Sequence, residues 1–328
     1  MQIFREPNIN FFRWRWQAIG VSTLLIVTGL TTMWFRGGLP LGIDFSGGTA
    51  VVVRFDERVP EEAVRAAIAS VEGEKVVQQY GDIDANEVLI RLPQIGEETG
   101  ASLEEGANAV VEGIQAASLG SFVVQSTDLV GPVIGRDLQQ KGIYATLAAL
   151  AGILIYISLR FRFTFAVGAI AAVFHDILVT LALLVFFGYE LSLNVVAAIL
   201  AITGYSVNDT IVIFDRVREN LRSMRRDRLE IVVNKSVNQT LARTVITSAT
   251  TVFAVLALFV LGGEVLRGFA FTMLVGILSG TYSTVFIAAA TAVFMSERQA
   301  AKRATPAQAS EQAKRSRKSR RKMKVRAS

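Results

Sequence analysis

The chain has 328 residues, 52% of them hydrophobic, with a formal net charge of +6 and a pI near 9.7. It contains no cysteine, which excludes disulfides and thiolate-based metal or redox sites. The basic residues gather in the termini and in short connections between long apolar blocks, a distribution that sets orientation in a membrane rather than one that marks a nucleic-acid binder.

Residues 1–15 read as a short cytoplasmic N-terminus. The first apolar block, 16–35, is long enough to cross a bilayer core of about 30 Å, which takes about 20 apolar residues per helix. Arg13 and Arg15 precede it and Trp14, Trp16 and Trp34 mark its ends, as interfacial anchors do. It is longer than an ordinary signal-peptide core and has no A-x-A site before Arg36, so it reads as an uncleaved anchor. A glycine-rich stretch follows, with Gly42, Asp44, Gly47 and Gly48 as its signature positions. It lacks the Gly-Lys-Ser/Thr ending of a phosphate loop, and its default role is a rigid turn into the first strand.

Residues 36–140 are acidic on balance and carry the patterning of a water-soluble domain. Alternation predicts strands at 50–55, 75–80, 87–92 and 122–126, with helices at 60–71 and 102–117. The order β-α-β-β-α-β is that of a ferredoxin-like split βαβ unit. Five more apolar blocks lie in 141–296, at 143–159, 164–187, 191–214, 240–261 and 269–294. Arg160 and Arg162 fall in one connection, and Arg216, Arg218, Arg222, Arg225, Arg226, Arg228 and Lys235 in a basic loop near 215–238. The alternation places both termini in the cytoplasm and 36–140 outside it. The expected fold is an α-helical integral membrane protein of six transmembrane helices with a small α+β ferredoxin-like extracytoplasmic domain between helices 1 and 2. Residues 297–328 form a basic tail without aromatics, expected to be disordered.

Charged groups inside a span cost several kcal/mol and usually mark function. The third span holds His175 and Asp176, the fourth Asp209 and the fifth Arg243. Asp209 lies six residues before Asp215, about 9 Å into the helix at 1.5 Å per residue, and Arg243 has a similar depth on the antiparallel neighbour. An ion pair between them is the natural expectation. Such a pair can fix helix register, or its carboxylate can exchange a proton as the helices move. Thr247, one turn from Arg243, suits a hydrated path but equally an interhelical hydrogen bond. Asp176 and His175 can form a proton relay or simply bond a neighbouring helix. No nucleophile beside a base, metal-ligand cluster or nucleotide loop is present, so no catalytic residue, metal or cofactor is assigned and the chain does not read as an enzyme.

The stretch 41–49, Phe174-His175-Asp176, the run 204–220 around Gly204-Tyr205-Ser206-Val207-Asn208-Asp209-Thr210, and Thr240-Leu241-Ala242-Arg243-Thr244 together resemble the SecD/SecF translocase family, on its SecF side. The resemblance covers the chain from the first span to the sixth and implies membership of the resistance-nodulation-division superfamily of proton-driven machines. It implies a separate SecD chain as the other six-helix half, with the SecYEG channel, YajC, SecA and a translocating preprotein as further partners. It also implies use of the proton-motive force to promote export after SecA-driven translocation, with Asp209 and Arg243 in the proton pathway, in the cell inner membrane. The basic run 314–322 lies outside that pattern. It suits attraction to anionic membrane lipid, worth about 1 kcal/mol per basic residue near the surface, or contact with ribosomal RNA or a Sec component. The competing readings are a scaffold or chaperone that binds exported chains without using protons, and a small-molecule exporter, which would need far larger paired external domains.

Overall fold

The computed structural model describes residues 7–71, 75–80, 85–92 and 100–303. After a single 3-10 turn at Phe11–Trp14, helix α1 spans Arg15–Phe35. The chain then enters the sheet domain: α2 Ile43–Ser46, β1 Gly48–Phe55, α3 Glu61–Ala67, β2 Val76–Tyr80, β3 Glu87–Leu92, α4 Gly100–Ala116 and β4 Phe122–Val130. Five long helices follow: α5 Pro132–Arg160, α6 Phe163–Phe186, α7 Leu193–Ser223, α8 Leu229–Leu261 and α9 Gly263–Ser283. The last runs through a π segment, Thr284–Ala288, into α10 Ala289–Arg303. Among the described residues, six stretches are long and apolar enough to cross a membrane: Phe11–Phe35, Val133–Arg160, Phe163–Phe186, Leu193–Ser223, Leu229–Leu261 and Leu266–Gln299.

The four strands are all antiparallel in the order β2-β3-β1-β4, the ferredoxin-like arrangement. Alternation along β1 sends Val51, Val53 and Phe55 to one face, where they pack with Val64 and Ile68 and with Val110 and Ile114 of α4, all nearly or fully buried. The other face carries Ala50, Val52 and Leu89, covered in part by Ile43 and Tyr80. Strand β4 is longer than its apolar pattern predicts, because Thr127 to Val130 keep pairing with β1 beyond a bulge opposite Val52 and Val53.

Two boundaries differ from the sequence reading. The basic connection expected near 215–238 is mostly helix: α7 continues to Ser223 and α8 starts at Leu229. The apolar blocks end before the helices do, and polar pairs join the two helices beyond those blocks. Asn220 Nδ2 donates to Ser236 Oγ at 2.9 Å and to Gln239 Oε1 at 2.8 Å, and Arg216 Nε donates to the same Gln239 oxygen at 2.8 Å. The N-terminal segment is tied to this hairpin, since Ile9 N donates to Asn238 Oδ1 at 2.9 Å and Phe11 N to Asn234 Oδ1 at 3.0 Å. Likewise α10 runs to Arg303, beyond the expected start of the tail at 297. Residues 304–328, with the basic run 314–322, lie outside the described residues, as do 1–6.

Helices α6 and α7 are the most enclosed and α5 is peripheral. Close approach of α6 to the π segment depends on Gly168: a Cβ there would lie 2.5 Å from Ala288 O. A Cβ on Gly152 of α5 would meet nothing within 4 Å. Gly168→Ala is therefore expected to destabilise the detergent-solubilised protein by about 1–3 kcal/mol, the usual cost of overpacking, while Gly152→Ala leaves the thermal unfolding midpoint unchanged or slightly higher. Equal midpoints for the two variants would show that α6 does not need this contact.

Candidate functional site

Helix α7 begins where Ser192 Oγ accepts from Val195 N at 3.3 Å, an N-cap that supplies an acceptor to the unpaired N–H groups of the helix start. It passes through the bundle with Ile202, Ser206, Asp209, Thr210 and Ile213 on its buried face. Its far end is held where Asp215 accepts from Arg160 Nη2 at 2.9 and 3.1 Å. Asp209 is 5% exposed, and its Oδ2 has no hydrogen-bond partner among the described residues. A buried carboxylate oxygen left open is costly, and among the described residues it is the one buried side-chain oxygen of α7 without a partner.

The expected direct pair with Arg243 does not form: among the described residues no nitrogen–oxygen contact within 4.0 Å joins them. The two residues match in depth but not in azimuth, because Asp209 points inward from α7 while Arg243 stands on the exposed face of α8 with Thr247 and Thr250. Thr247 turns its hydroxyl back to its own helix, donating to Arg243 O and Thr244 O at 3.0 Å each. Beside Arg243, Thr244 Oγ1 is buried and unpartnered. Contact between α7 and α8 at this level comes instead from Thr251 Oγ1 to Tyr205 Oη at 3.4 Å.

Asp176 has the opposite environment. It is 2% exposed. Its Oδ1 accepts from Ser279 Oγ at 2.7 Å and from His175 Nδ1 at 3.0 Å. Its Oδ2 accepts from Ser206 Oγ at 2.6 Å and Ser283 Oγ at 2.7 Å. These four donors occupy the lone pairs a carboxylate offers, and they join α6, α7 and α9. The approach of α9 to α7 needs Gly280, where a Cβ would lie 2.9 Å from Ser206 Cβ. His175 stacks on Tyr282 with centroids 6.0 Å apart and leaves Nε2 buried without a partner. Adjacent residues on a helix need not share a partner, yet here His175 and Asp176 bond each other. Ser279 and Ser283 were missed in the sequence, although two serines four apart in an apolar block present one polar face.

The glycine signature lies at the opposite end of α7 from Asp209. In place of a simple turn it forms the short helix α2, with Gly42 as its N-cap and Gly47 and Gly48 leaving at φ of 70° and 115°, a region that favours glycine. Asp44 Oδ2 accepts from Leu193 N at 2.8 Å.

Residues 110–298 match the family model for the protein export membrane protein SecD/SecF, C-terminal, and residues 33–57 match the SecD/SecF GG motif. The chain is similar to a protein translocase subunit SecF from Calditerrivibrio nitroreducens, 41% identical over 290 residues that cover 87% of this chain and 93% of that protein. It is also similar to a protein translocase subunit SecF from Rhodothermus marinus, 41% identical over 312 residues that cover 92% and 98%. Its structure is similar to the crystal structure of SecDF, a translocon-associated membrane protein from Thermus thermophilus, with a TM-score of 0.76 and 36% identity over 89% of this chain. The chain spans 39% of that SecDF.

The filled shell of Asp176 sets an order of stabilities. Removing one serine hydroxyl, as in Ser206→Ala, Ser279→Ala or Ser283→Ala, is expected to cost about 0.6 kcal/mol and at most about 1.7. Asp176→Ala strands three hydroxyls at once and should lower the thermal midpoint in detergent more than any single serine variant, with Asp176→Asn between. A midpoint for Asp176→Ala equal to that of the parent protein would remove the hub.

Proposed function

The chain belongs to the SecD/SecF family of protein export membrane proteins, and from that premise we propose that it uses the proton-motive force, with a separate SecD, to promote export after SecA-driven translocation. A role in Sec-dependent export follows from the family. The observation that carries the finer reading is Asp209: a carboxylate buried in a membrane span, with one oxygen unsatisfied and no direct ion pair. A carboxylate held only in packing would be surrounded by donors. One left open can bind and release a proton, and each state then favours a different packing of α7 against α8. Arg243 and Thr247 border this path on α8. Asp176 and His175 are a relay on α6, linked to α7 through Ser206.

The energy is adequate for such work. One proton crossing 100 mV supplies about 2.3 kcal/mol, and a tenfold concentration difference adds about 1.4 kcal/mol. Partners in this reading are SecD, the SecYEG channel, YajC, SecA and the preprotein. The chain lies in the cell inner membrane with both termini in the cytoplasm. Supporting this orientation, Arg222, Arg225, Arg226 and Arg228 cluster at the tip of the α7–α8 hairpin, to which the N-terminal segment is bonded, and basic connections stay cytoplasmic. The sheet domain is then extracytoplasmic, where it meets the emerging chain.

The test is export of a secreted reporter in cells that depend on this subunit, with Asp209→Asn compared with the parent protein at matched membrane levels. Export is expected to fall to that of cells lacking the subunit while the variant still copurifies with SecD. Unchanged export would instead leave a scaffold that binds exported chains without proton coupling.

A further inference from the structure

The sheet domain is not merely tethered to the bundle by α1 and α5. Four separate parts of it converge on the short connection between α6 and α7. From the segment after α1, Leu191 N donates to Pro40 O at 2.8 Å and Gly42 N to Leu191 O at 2.9 Å, so that Leu41 and Leu191 pair as in a parallel ladder. Arg36 Nη1 donates to Val185 O at 2.8 Å. From α2, Asp44 takes the Leu193 N–H, one of the first amides of α7, which have no partner within the helix. A carboxylate there is also favoured by the helix dipole.

From β3, Arg91 reaches in two directions: Nη1 to Leu41 O at 2.8 Å and Nη2 to Glu190 Oε1 at 2.9 Å. From β2, Gln78 Nε2 donates to the same Glu190 oxygen at 2.9 Å. The Arg91 and Glu190 side chains are only 14% and 19% exposed, so this pair is screened from solvent far more than a surface salt bridge. Burial lifts the Glu190 carboxyl above its ordinary value, with Arg91 first and Gln78 second opposing the rise. Glu190 therefore depends on its partners more than they depend on it.

On the proton-coupled reading above, we propose that Asp44, Arg91 and Glu190 are positioning residues: they clasp the sheet domain onto the outer end of α7, so that a shift of the helix carrying Asp209 is delivered to the sheet domain. The path is short and stiff. Helix α7 is continuous from Leu193 to Asp209 and beyond, about 24 Å at 1.5 Å per residue. At its outer end the clasp attaches to two strands of the sheet and to the segment leading into it. The clasp stays closed through the cycle and acts as a strut.

The absence of native cysteine permits a clean test. Leu41→Cys with Leu191→Cys places two thiols across a ladder whose strands are about 4.8 Å apart, within the span a disulfide bridges. The oxidised protein, copurified with SecD, is expected to form the bond and to export the reporter at the parent rate. Failure to form it contradicts a closed clasp. Loss of export on oxidation, recovered on reduction, would show that the clasp must open and overturns the strut. In the opposite arm, Asp44→Ala with Arg91→Ala is expected to reduce export to the level of Asp209→Asn, whereas Asp44→Asn and Glu190→Gln, which still accept hydrogen bonds, retain most of it.

A fluorophore on Glu105→Cys, on α4, read against a lipid quencher in vesicles holding the complex with SecD, reports movement of the sheet domain. The parent signal should shift when a proton gradient is imposed, and the double-alanine variant should lose that shift while still folded and bound to SecD. A double-alanine variant that keeps both the shift and export defeats the clasp while leaving the proton reading in place. Full export by Asp209→Asn would defeat the proton reading itself.

Discussion

A carboxylate inside a hydrocarbon span has no water to accept from, so its donors must come from the protein. Asp176 meets that demand by drawing Ser206 from α7 and Ser279 and Ser283 from the last span, with His175 completing its shell. Satisfying one residue thereby fixes the mutual rotation of three helices, and small residues such as Gly168 and Gly280 allow the close contact that this requires. The π segment begins one residue after Ser283, in the turn where Thr284 meets Thr210 at 3.2 Å. Such segments often sit at functional sites. Asp209, one turn along α7 from Ser206, lies against this rigid polar cluster without joining it.

The peripheral helices contrast with this centre. Arg243, Thr247 and Thr250 face away from the bundle on α8, where a cation and hydroxyls would otherwise meet lipid. The chain spans 39% of the SecDF it is similar to, so most of that protein has no counterpart here. A membrane protein with a polar stripe on an outer face is built to be covered by something polar enough to suit it.

Much of this was legible in the sequence because it rests on periodicity. The strand over residues 87–92 was placed to the residue, and β-α-β-β-α-β order led directly to the observed sheet. The six spans followed from block length and the absence of charge. That Asp209 falls within an apolar helix was legible too. Azimuth was not. Each residue turns a helix by about 100°, and which way α7 and α8 face is decided by packing that no local pattern encodes, so the direct Asp209–Arg243 pair failed. Helix ends at 223 and 229 were missed because hydropathy reports where lipid stops, not where backbone hydrogen bonding stops. The junction of Asp44 with Leu193 joins residues 149 apart, and nothing in the glycine motif names its partner.

The bond between Ile9 and Asn238 joins positions 229 apart, and Tyr282 Oη reaches back to Ala18 O across 264 residues. At a ribosomal pace of about 5–20 residues per second, the first helix waits roughly 11 s or more for the fifth before its leading end can be secured, and longer still for the sixth. The far end of α1 can dock earlier, since Arg36 bonds Val185 O of α6, so it is only the leading end of α1 that stays unsecured, for an interval whose length is set by translation rather than by folding.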